Sequence, residues 1–335
     1  MASHRFGVIE PSNIIAFMDM YLYNSNESTT TNVRFCWSYQ MANDLNIFDR
    51  GEVALASLTK HFAALLEQSK ELSSAYSLAE PFPHLIIDNF LPTSIIENIY
   101  ADFPASDSPA WVRLPTEDQK GKMATRDECD LPPSIRALIF ELNSGLFLRF
   151  LERLTGIPEL IADTKLAGGG LHSIQSGGKL SVHVDFSHHP SNGLSRRLNF
   201  LLYLNKDWKE EWGGHFELWN WTKDNKSAVA KILPIFNRAV IFSTTPTSWH
   251  GHPEPLACPK SNSRKSIALY YFSNGRPAAE DFPHNTLFKT RPGDKTTIGN
   301  MIVRTASGGL AQNLLPPLFY RMLRRIWNKR FTAAK

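Results

Sequence analysis

The stretch Lys179-Leu180-Ser181-Val182-His183-Val184-Asp185 is a short, mainly apolar run that ends in two side chains able to bind a metal. Runs of this length, bounded by glycine and other turn residues, are typical of β-strands. Residues two apart on a strand point to the same face, so His183 and Asp185 can approach one metal ion while Val184 packs on the other side. The stretch therefore predicts a core strand and part of a metal site.

Strand signals dominate the chain from Leu166 onward, whereas helical signals dominate before it. In the earlier part, apolar residues recur three or four positions apart, which predicts amphipathic helices. Helices followed by many short strands predict an α+β protein built on a double-sheeted β core. The predicted helices are 52–75, 93–103 and 133–154, and the predicted strands are 85–90, 179–185, 197–204, 214–219, 238–242 and 263–273.

The predicted strand 197–204 has one fully apolar face and one mixed face. The mixed face is too polar for a plain core and too apolar for a plain surface, so it predicts the wall of a pocket. Its residues are Arg197, Asn199, Leu201 and Tyr203. The strand 263–273 is predicted to place Arg264, Ser266, Ala268 and Tyr270 on one face in the same way.

A second histidine, His250, stands in Trp249-His250-Gly251-His252, far along the chain from His183. Two imidazoles and one carboxylate are the ligand set of a mononuclear non-heme iron site, which leaves the opposite face of the metal open. Arg264 downstream is a bidentate anchor suited to a carboxylate. If His183, Asp185, His250 and Arg264 converge, the chain is predicted to be an oxygenase.

Taken in order, these motifs resemble those of the 2-oxoglutarate- and iron(II)-dependent oxygenases of the prolyl hydroxylase type. The resemblance covers about residues 80–277, and it implies a double-stranded β-helix, or jelly roll, flanked by helices. The residues that carry it are His183-Val184-Asp185, Tyr203 to Trp208, Gly213 to Leu218, Trp249-His250-Gly251-His252, and Arg264 through Phe272.

The resemblance also implies a role for each residue of the site. His183, Asp185 and His250 would ligate Fe(II), and Arg264 and Tyr203 would bind the distal carboxylate of 2-oxoglutarate. Leu201 and Phe216 would line the co-substrate pocket, while Arg197, Asn199 and Tyr270 would face the substrate. The family often has a pocket tyrosine on the strand before the His-x-Asp motif, where this chain offers His172 or Gln175.

The implied activity couples the oxidative decarboxylation of 2-oxoglutarate, with O₂, to the hydroxylation of a C–H bond, with ascorbate as a supporting reductant. The substrate would be proline, another amino acid, a protein residue or a secondary metabolite, bound as a small molecule or a peptide. Two alternatives stay open. One is a jelly-roll metalloenzyme that does not use 2-oxoglutarate, and the other is a non-catalytic jelly-roll binding module.

The 335-residue chain is predicted to divide into an N-terminal helical or irregular extension (1–78), the oxygenase domain (79–278) and a C-terminal extension (279–335) with a basic amphipathic helix at 319–331. That helix is suited to weak contact with a membrane surface. A net charge of +4 is too small to predict a nucleic-acid partner. The sequence contains no run of 18 or more apolar residues, so it predicts no transmembrane helix.

The cellular location is predicted to be cytoplasmic on two observations. The first residues lack the apolar run and cleavage site of a secretory signal. The three cysteines, Cys36, Cys129 and Cys258, are odd in number and widely spaced, which predicts reduced thiols.

Overall fold

The computed structural model describes residues 45–114, 116–125, 127–292 and 294, with side chains from residue 57 onward. The helices are α1 (Leu45–Ser77), α2 (Thr93–Ala101), α3 (Pro133–Leu142) and α4 (Gly145–Thr155), and short 3₁₀ turns lie at Glu117–Gln119, Glu128–Asp130, Glu210–Trp212 and Ala278–Glu280. The strands are β1 (His84–Ile87), β2 (Val112–Arg113), β3 (Lys122–Ala124), β4 (Ile161–Ala162), β5 (Gly170–Gln175), β6 (Leu180–Val184), β7 (Ser195–Tyr203), β8 (Phe216–Trp221), β9 (Lys226–Ile232), β10 (Arg238–Ser243), β11 (Trp249–His252), β12 (Ser263–Ser273) and β13 (Leu287–Phe288).

Two antiparallel sheets form the core. The major sheet has eight strands in the order β1-β10-β7-β12-β5-β3-β2, with β4 paired to β12. The minor sheet has five strands in the order β13-β6-β11-β8-β9. From β5 onward, successive strands pass from one sheet to the other, except that β8 and β9 are neighbours in the minor sheet, and this alternation is typical of a jelly roll. The predicted fold, an α+β protein with a double-stranded β-helix core flanked by helices, is confirmed.

The helices cover the outer face of the major sheet. Alternate residues of β7 accordingly face either the helices or the minor sheet. Leu198, Phe200 and Leu202 are fully buried in the core that the helices share with this sheet. Tyr203 and Leu201, on the other face of β7, pack toward β8 of the minor sheet. Fully burying one such apolar side chain contributes about 1.5–3 kcal/mol, so this alternation fixes which face of β7 meets the site.

An aromatic cluster joins α1, α4 and the major sheet. The ring centroids of Phe62 and Phe147 lie 5.0 Å apart, and those of Phe90 and Phe200 lie 5.2 Å apart. All four side chains are buried. The long helix α1 therefore packs directly on the jelly roll. It corresponds to the predicted helix 52–75 and is longer at both ends.

The predicted helix 133–154 is wrong in one respect, because the structure divides it into α3 and α4. Asn143 ends α3, and Ser144 adopts an extended backbone and accepts a hydrogen bond from the Phe147 amide (3.3 Å) as the N-cap of α4. A serine at this position satisfies an amide that the new helix leaves unpaired. The apolar spacing continues across the break, so periodicity alone does not reveal it.

The segment 104–132, for which the sequence predicts no helix or strand, contributes two short strands, β2 and β3. β3 pairs with β5 and β2 pairs with β3, which extends the major sheet. The pairing partner of β3 lies about fifty residues later in the chain, so no local pattern indicates it. This extension supplies one wall of the cavity described below.

Several predictions concern residues outside those described, namely the N-terminal residues 1–44 and the basic amphipathic helix at 319–331. The domain limits at 78 and 278 stay predictions. The prediction of reduced thiols holds for Cys258, which is free and buried, and is wrong for Cys129, which is disulfide-bonded. Cytoplasmic location, which rested partly on reduced thiols, stays a prediction. Within the described residues, every helix is too short or too polar to cross a bilayer.

Candidate metal centre and its pocket

Three predicted metal ligands converge on the minor sheet. His183 on β6 and His250 on β11 are direct cross-strand partners, and their ring centroids lie 4.3 Å apart. Asp185 follows the end of β6, with its Oδ1 3.6 Å from His183 Nε2 and its Oδ2 3.4 Å from His250 Nε2. One donor atom from each residue lies within 4.8 Å of the others, and both imidazoles are buried. Such a set fits one face of a metal coordination sphere.

Gly251 permits this close approach of β11 to β6. A Cβ atom at position 251 would lie 2.9 Å from the carbonyl oxygens of Leu180 and Ser181. Both contacts are with backbone, which cannot rotate away. The ladder also shifts its register between His250 and His252, where a bulge accommodates the narrow gap.

Local backbone carbonyls set the orientation of both imidazoles. His183 Nδ1 donates to the Ser181 carbonyl (2.9 Å), and His250 Nδ1 donates to the Ser248 carbonyl (2.8 Å). A carbonyl only accepts, so the proton must reside on Nδ1 in each ring. Each Nε2 therefore presents a lone pair toward Asp185, which is the tautomer that binds a metal.

Two side chains of β7 hold the Asp185 carboxylate. Its Oδ2 accepts hydrogen bonds from Asn199 Nδ2 (2.7 Å) and Arg196 Nη2 (3.1 Å). Burial raises the pKa of Asp185, but the charge of Arg196, the proximity of His250 and the bond with His183 outweigh it and hold the pKa well below its usual range. The carboxylate is thus anionic and fixed in place, as a metal ligand must be.

The Arg196 guanidinium is itself enclosed by the protein. It donates to Asn199 Oδ1 through Nε (3.0 Å) and Nη2 (2.7 Å), and its Cζ lies 3.5 Å from the centroid of the Tyr270 ring and 4.5 Å from that of Phe186. Cation–π contact with two rings stabilises a buried guanidinium.

The prediction that Arg197 faces the substrate is wrong, because a β-bulge reverses the faces at the start of β7. Pairing with β12 shifts between Tyr271, opposite Leu198, and Phe272, opposite Arg196. The extra residue is Arg197, whose Nη1 donates to Ser273 Oγ (3.2 Å) away from the pocket. Strict alternation assigns Arg197 to the face of Asn199, whereas the bulge gives that place to Arg196.

Arg264 and Tyr203 meet as predicted, on adjacent strands of the major sheet. Arg264 Nη2 lies 3.2 Å from the Tyr203 hydroxyl, and Arg264 Nε donates to the Gly214 carbonyl (2.8 Å). Both side chains are buried. Gly214 has a φ of +73°, and a Cβ there would lie 3.2 Å from Arg264 Cδ, so glycine is required both for the turn and for the arginine.

Two cavities meet at the metal donors. The outer cavity, of about 400 Å³, extends from the donors past Val112, Leu114 and Lys165. The inner cavity, of about 70 Å³, extends from the donors to Arg264. The residues that line both are Lys122, His172, Leu180, His183, Asp185 and Tyr270.

The remaining predicted residues divide between these cavities. Leu201 and Phe216 line the inner cavity, as expected for a co-substrate pocket. Asn199 also lines it, but its amide is engaged with Asp185. Tyr270 lines both cavities, and its hydroxyl donates to the Gly168 carbonyl (2.8 Å). The structure thus brings together every predicted site residue except Arg197.

Lys122, Arg196 and His252 were not among the predicted site residues, although each lines a cavity. His252 lies two positions after His250 on β11, and it lines the inner cavity. Both of its ring nitrogens are buried without a hydrogen-bond partner among the described residues. Buried polar groups are normally paired, so this imidazole indicates a polar ligand in the inner cavity.

Three buried imidazoles of the pocket, those of His183, His172 and His252, are neutral at neutral pH because their pKa values are lowered. Burial, and then the nearby His250, lower the pKa of His183. Burial is also the largest cause that holds the pKa of His172 and of His252 well below the usual range, with Lys122 and Arg264 adding to it. Neutral imidazole is the form that ligates metals and that accepts or donates a single hydrogen bond.

Comparison with known proteins confirms the resemblance. Residues 169–272 match the model of the 2OG-Fe(II) oxygenase superfamily. Over 198 residues the chain is 26% identical to mouse (Mus musculus) prolyl 3-hydroxylase OGFOD1, a match that covers 58% of this chain and 33% of the mouse protein. The chain therefore spans about a third of the length of this relative.

Solved structures also resemble the chain at low identity. A prolyl hydroxylase from Trichoplax adhaerens, solved with a peptide fragment of a hypoxia inducible factor, is 22% identical with a TM-score of 0.44, covering 62% of this chain and 92% of that one. A Pseudomonas putida prolyl-4-hydroxylase is 14% identical with a TM-score of 0.41, covering 62% of this chain and 99% of that one.

Proposed function

We propose that this chain, whose residues 169–272 resemble the 2OG-Fe(II) oxygenases, is an Fe(II)- and 2-oxoglutarate-dependent hydroxylase. One observation carries the proposal. Two imidazoles with fixed tautomers and one held carboxylate point their donors at a common centre, and a cavity that ends at a buried arginine opens from that centre.

His183, Asp185 and His250 would hold Fe(II). The donor set supports this role, because two neutral imidazoles and one carboxylate suit Fe(II) and leave open coordination positions. Arg196 and Asn199 would keep Asp185 oriented through its Oδ2. Partners of this kind typically change metal affinity by about 10–100-fold when removed.

The inner cavity would hold 2-oxoglutarate. Its distal carboxylate would pair with the Arg264 guanidinium and the Tyr203 hydroxyl, between the walls formed by Leu201 and Phe216. The unpartnered ring of His252 supports an oxygen-rich occupant, since such a ligand would satisfy a buried N–H.

When bound, Fe(II), 2-oxoglutarate and O₂ supply the oxidative decarboxylation to succinate and CO₂ and the insertion of oxygen into a C–H bond. The contribution of this chain is binding, orientation and exclusion of water. Phe216 and Phe242 pack against the His250 ring at centroid distances of 5.5 and 4.8 Å, which closes the inner side of the site. The outer cavity would present the substrate C–H bond to the open face.

The substrate would be proline, another amino acid, a peptide residue or a secondary metabolite. The similarity to proteins named as prolyl hydroxylases favours a prolyl group. An outer cavity of about 400 Å³ is large enough for one amino-acid residue with its neighbouring atoms.

The experiment that tests the proposal measures succinate formation from 2-oxoglutarate by the purified protein with Fe(II), ascorbate and O₂. Anaerobic absorption titrations with Fe(II) and then 2-oxoglutarate accompany it. We expect slow uncoupled turnover and a visible band that His183→Ala abolishes. His215→Ala is the matched control, because that histidine pairs with Glu210 outside both cavities.

Two outcomes would replace the proposal with an alternative. Iron binding without any response to 2-oxoglutarate would favour a metalloenzyme that does not use this co-substrate. Failure to bind either would favour a non-catalytic binding module.

A further inference from the structure

We propose that the outer cavity selects a substrate that carries a carboxylate, and that Lys122 is the residue that recognises it. The inference rests on the proposed function, because it assigns the outer cavity to the substrate. It adds a chemical class to that substrate and a specificity-determining residue from outside the matched segment 169–272.

The sheet extension places Lys122 at the junction of the two cavities. Lys122 begins β3 and pairs with Ile174 of β5, two residues from His172. Its half-buried side chain lines both the outer and the inner cavity, together with His183 and Asp185. A group bound beside the open face of the metal would therefore lie within reach of this ammonium.

The ammonium of Lys122 has no hydrogen-bond or ion-pair partner within the part of the chain that the structure describes. Asp185 is the one carboxylate among the described residues that line either cavity, and its Oδ2 is already engaged with Arg196 and Asn199. Asp185 therefore acts on Lys122 without a direct contact, and a partly buried ammonium with no direct partner is costly, so the cavity is suited to an anion.

The charges of the site with Fe(II) and 2-oxoglutarate bound also favour an anionic substrate. Fe(II) and the 2-oxoglutarate dianion cancel each other, and Asp185 cancels Arg196. Arg264 then remains as one net positive charge, and Lys122 adds a second. A substrate carboxylate would lower this excess, whereas a cationic substrate would increase it in a region of low dielectric constant.

The protonation of Lys122 is compatible with this role. Burial lowers its pKa to about 8, and Asp185 opposes the shift. The side chain is therefore mostly cationic at neutral pH, and a bound carboxylate would make it more so.

A carboxylate fits better than a phosphate. A phosphate dianion is usually held by the bidentate fork of arginine, whereas a carboxylate can be held by one ammonium. In the outer cavity, Arg196 is occupied by Asp185, and Lys165 is exposed at the rim, 3.5 Å from Ser191 Oγ. The carboxylate would belong either to a small molecule or to an acidic residue of a peptide.

The test compares matched acids and amides bound to the Zn(II)-substituted protein with 2-oxoglutarate, by ligand-observed NMR. N-acetylproline and N-acetylproline amide form the small-molecule pair, and acetyl-Pro-Glu-amide and acetyl-Pro-Gln-amide form the peptide pair. The variants are Lys122→Met and, as matched control, Lys120→Met, which alters an exposed lysine of the same segment. Affinity for 2-oxoglutarate is measured on every variant.

We expect at least one acid to bind the wild type about tenfold or more tightly than its amide, as for a charge-assisted hydrogen bond. Lys122→Met should abolish the preference while 2-oxoglutarate still binds, and Lys120→Met should keep the preference. The pair that shows the preference identifies the source of the carboxylate.

Equal binding of acid and amide in both pairs, or a preference that survives Lys122→Met, would overturn the inference. Loss of 2-oxoglutarate affinity in Lys122→Met would overturn it too, by assigning the lysine to the inner cavity. If wild-type protein binds metal and 2-oxoglutarate but shows no acid preference, the hydroxylase proposal stands alone. If it binds neither, both proposals fail.

Discussion

The two sheets supply different parts of the candidate site by different means. In the minor sheet, each imidazole of the candidate metal site is oriented by the carbonyl two residues before it, at Ser181 and Ser248. In the major sheet, the charged groups depend on distant partners. Arg264 is held by Gly214 and Tyr203, 50 and 61 residues away. The orientation of the two imidazoles is therefore set locally, whereas the Asp185 carboxylate and the groups that face the ligands depend on contacts between distant parts of the chain.

The largest effect is expected where the two strands of the metal site touch. Gly251→Ala would drive a methyl group into the carbonyls of Leu180 and Ser181, separating β11 from β6. We expect iron affinity to fall by more than about 100-fold, with a loss of about 1–3 kcal/mol in stability from overpacking.

An anaerobic Fe(II) titration and thermal unfolding measure both changes. The control is Gly145→Ala at the start of α4, where the nearest atom to the new methyl group is the end of the flexible Arg149 side chain, at 3.7 Å. If Gly251→Ala binds iron like the wild type, the tight strand contact is not what positions His183 and His250.

In the major sheet, Arg264→Met should separate co-substrate binding from metal binding. Removing one member of a buried, hydrogen-bonded charge pair costs about 2–5 kcal/mol, so 2-oxoglutarate affinity should fall by about 30-fold or more. Iron affinity should not change, because Arg264 contacts none of the metal donors. Absorption titrations measure both, with Lys265→Met on the neighbouring position of β12 as control. A parallel loss of iron affinity would show that the two parts of the site are not separable.

A smaller effect should distinguish the two consecutive arginines at the β7 bulge. Arg196→Met removes a hydrogen bond to Asp185 and should weaken Fe(II) binding by about 10–100-fold. Arg197→Met changes a side chain bonded to Ser273 and should leave Fe(II) binding within about twofold. The same titration on both variants compares them directly. If Arg197→Met weakened Fe(II) binding more than Arg196→Met does, Arg197 would face the site, as strict strand alternation predicts.

The smallest effect concerns pH. Burial, and then Lys122, hold the pKa of His172 well below 6.5, so the unfolded chain takes up a proton near that pH while the folded chain does not. Stability of the metal-free protein should therefore decline as pH falls below about 6.5, by at most about 1.4 kcal/mol per pH unit for this group.

Urea unfolding at a pH of about 7.5 and of about 5.5 measures the decline, and His172→Gln should reduce it. An unchanged slope in that variant would mean that other groups account for the acid sensitivity.

The sequence predicts the local part of the site better than the rest. The pairing of His183 with Asp185 follows from strand alternation, whereas His250 follows from the resemblance to the oxygenase family, and the structure brings the three together. The prediction for Arg197 is wrong because a bulge inserts one residue into β7. Nothing in the local composition indicates this bulge. Bulges are set by the partner strand, which in this case is β12.

The sequence does not predict Lys122 as a site residue, for a related reason. It lies in a three-residue strand within a segment of charged residues, and its place beside the metal donors depends on pairing with β5. A strand so short carries no alternation to read. The division of the predicted helix 133–154 is similarly hidden, because a capping serine interrupts the backbone but not the apolar spacing.

The sheet extension formed by β2 and β3 has an evolutionary consequence. Val112, Leu114 and Lys122 of this segment form one wall of the outer cavity. The segment contains none of the candidate metal donors, and it lies before the residues matched by the family model. In the proposed hydroxylase, substitutions in this short segment would therefore change what the cavity admits while the metal donors stay in place. Selectivity and chemistry would then be heritable separately, and the exchange of one hairpin would be enough to alter specificity.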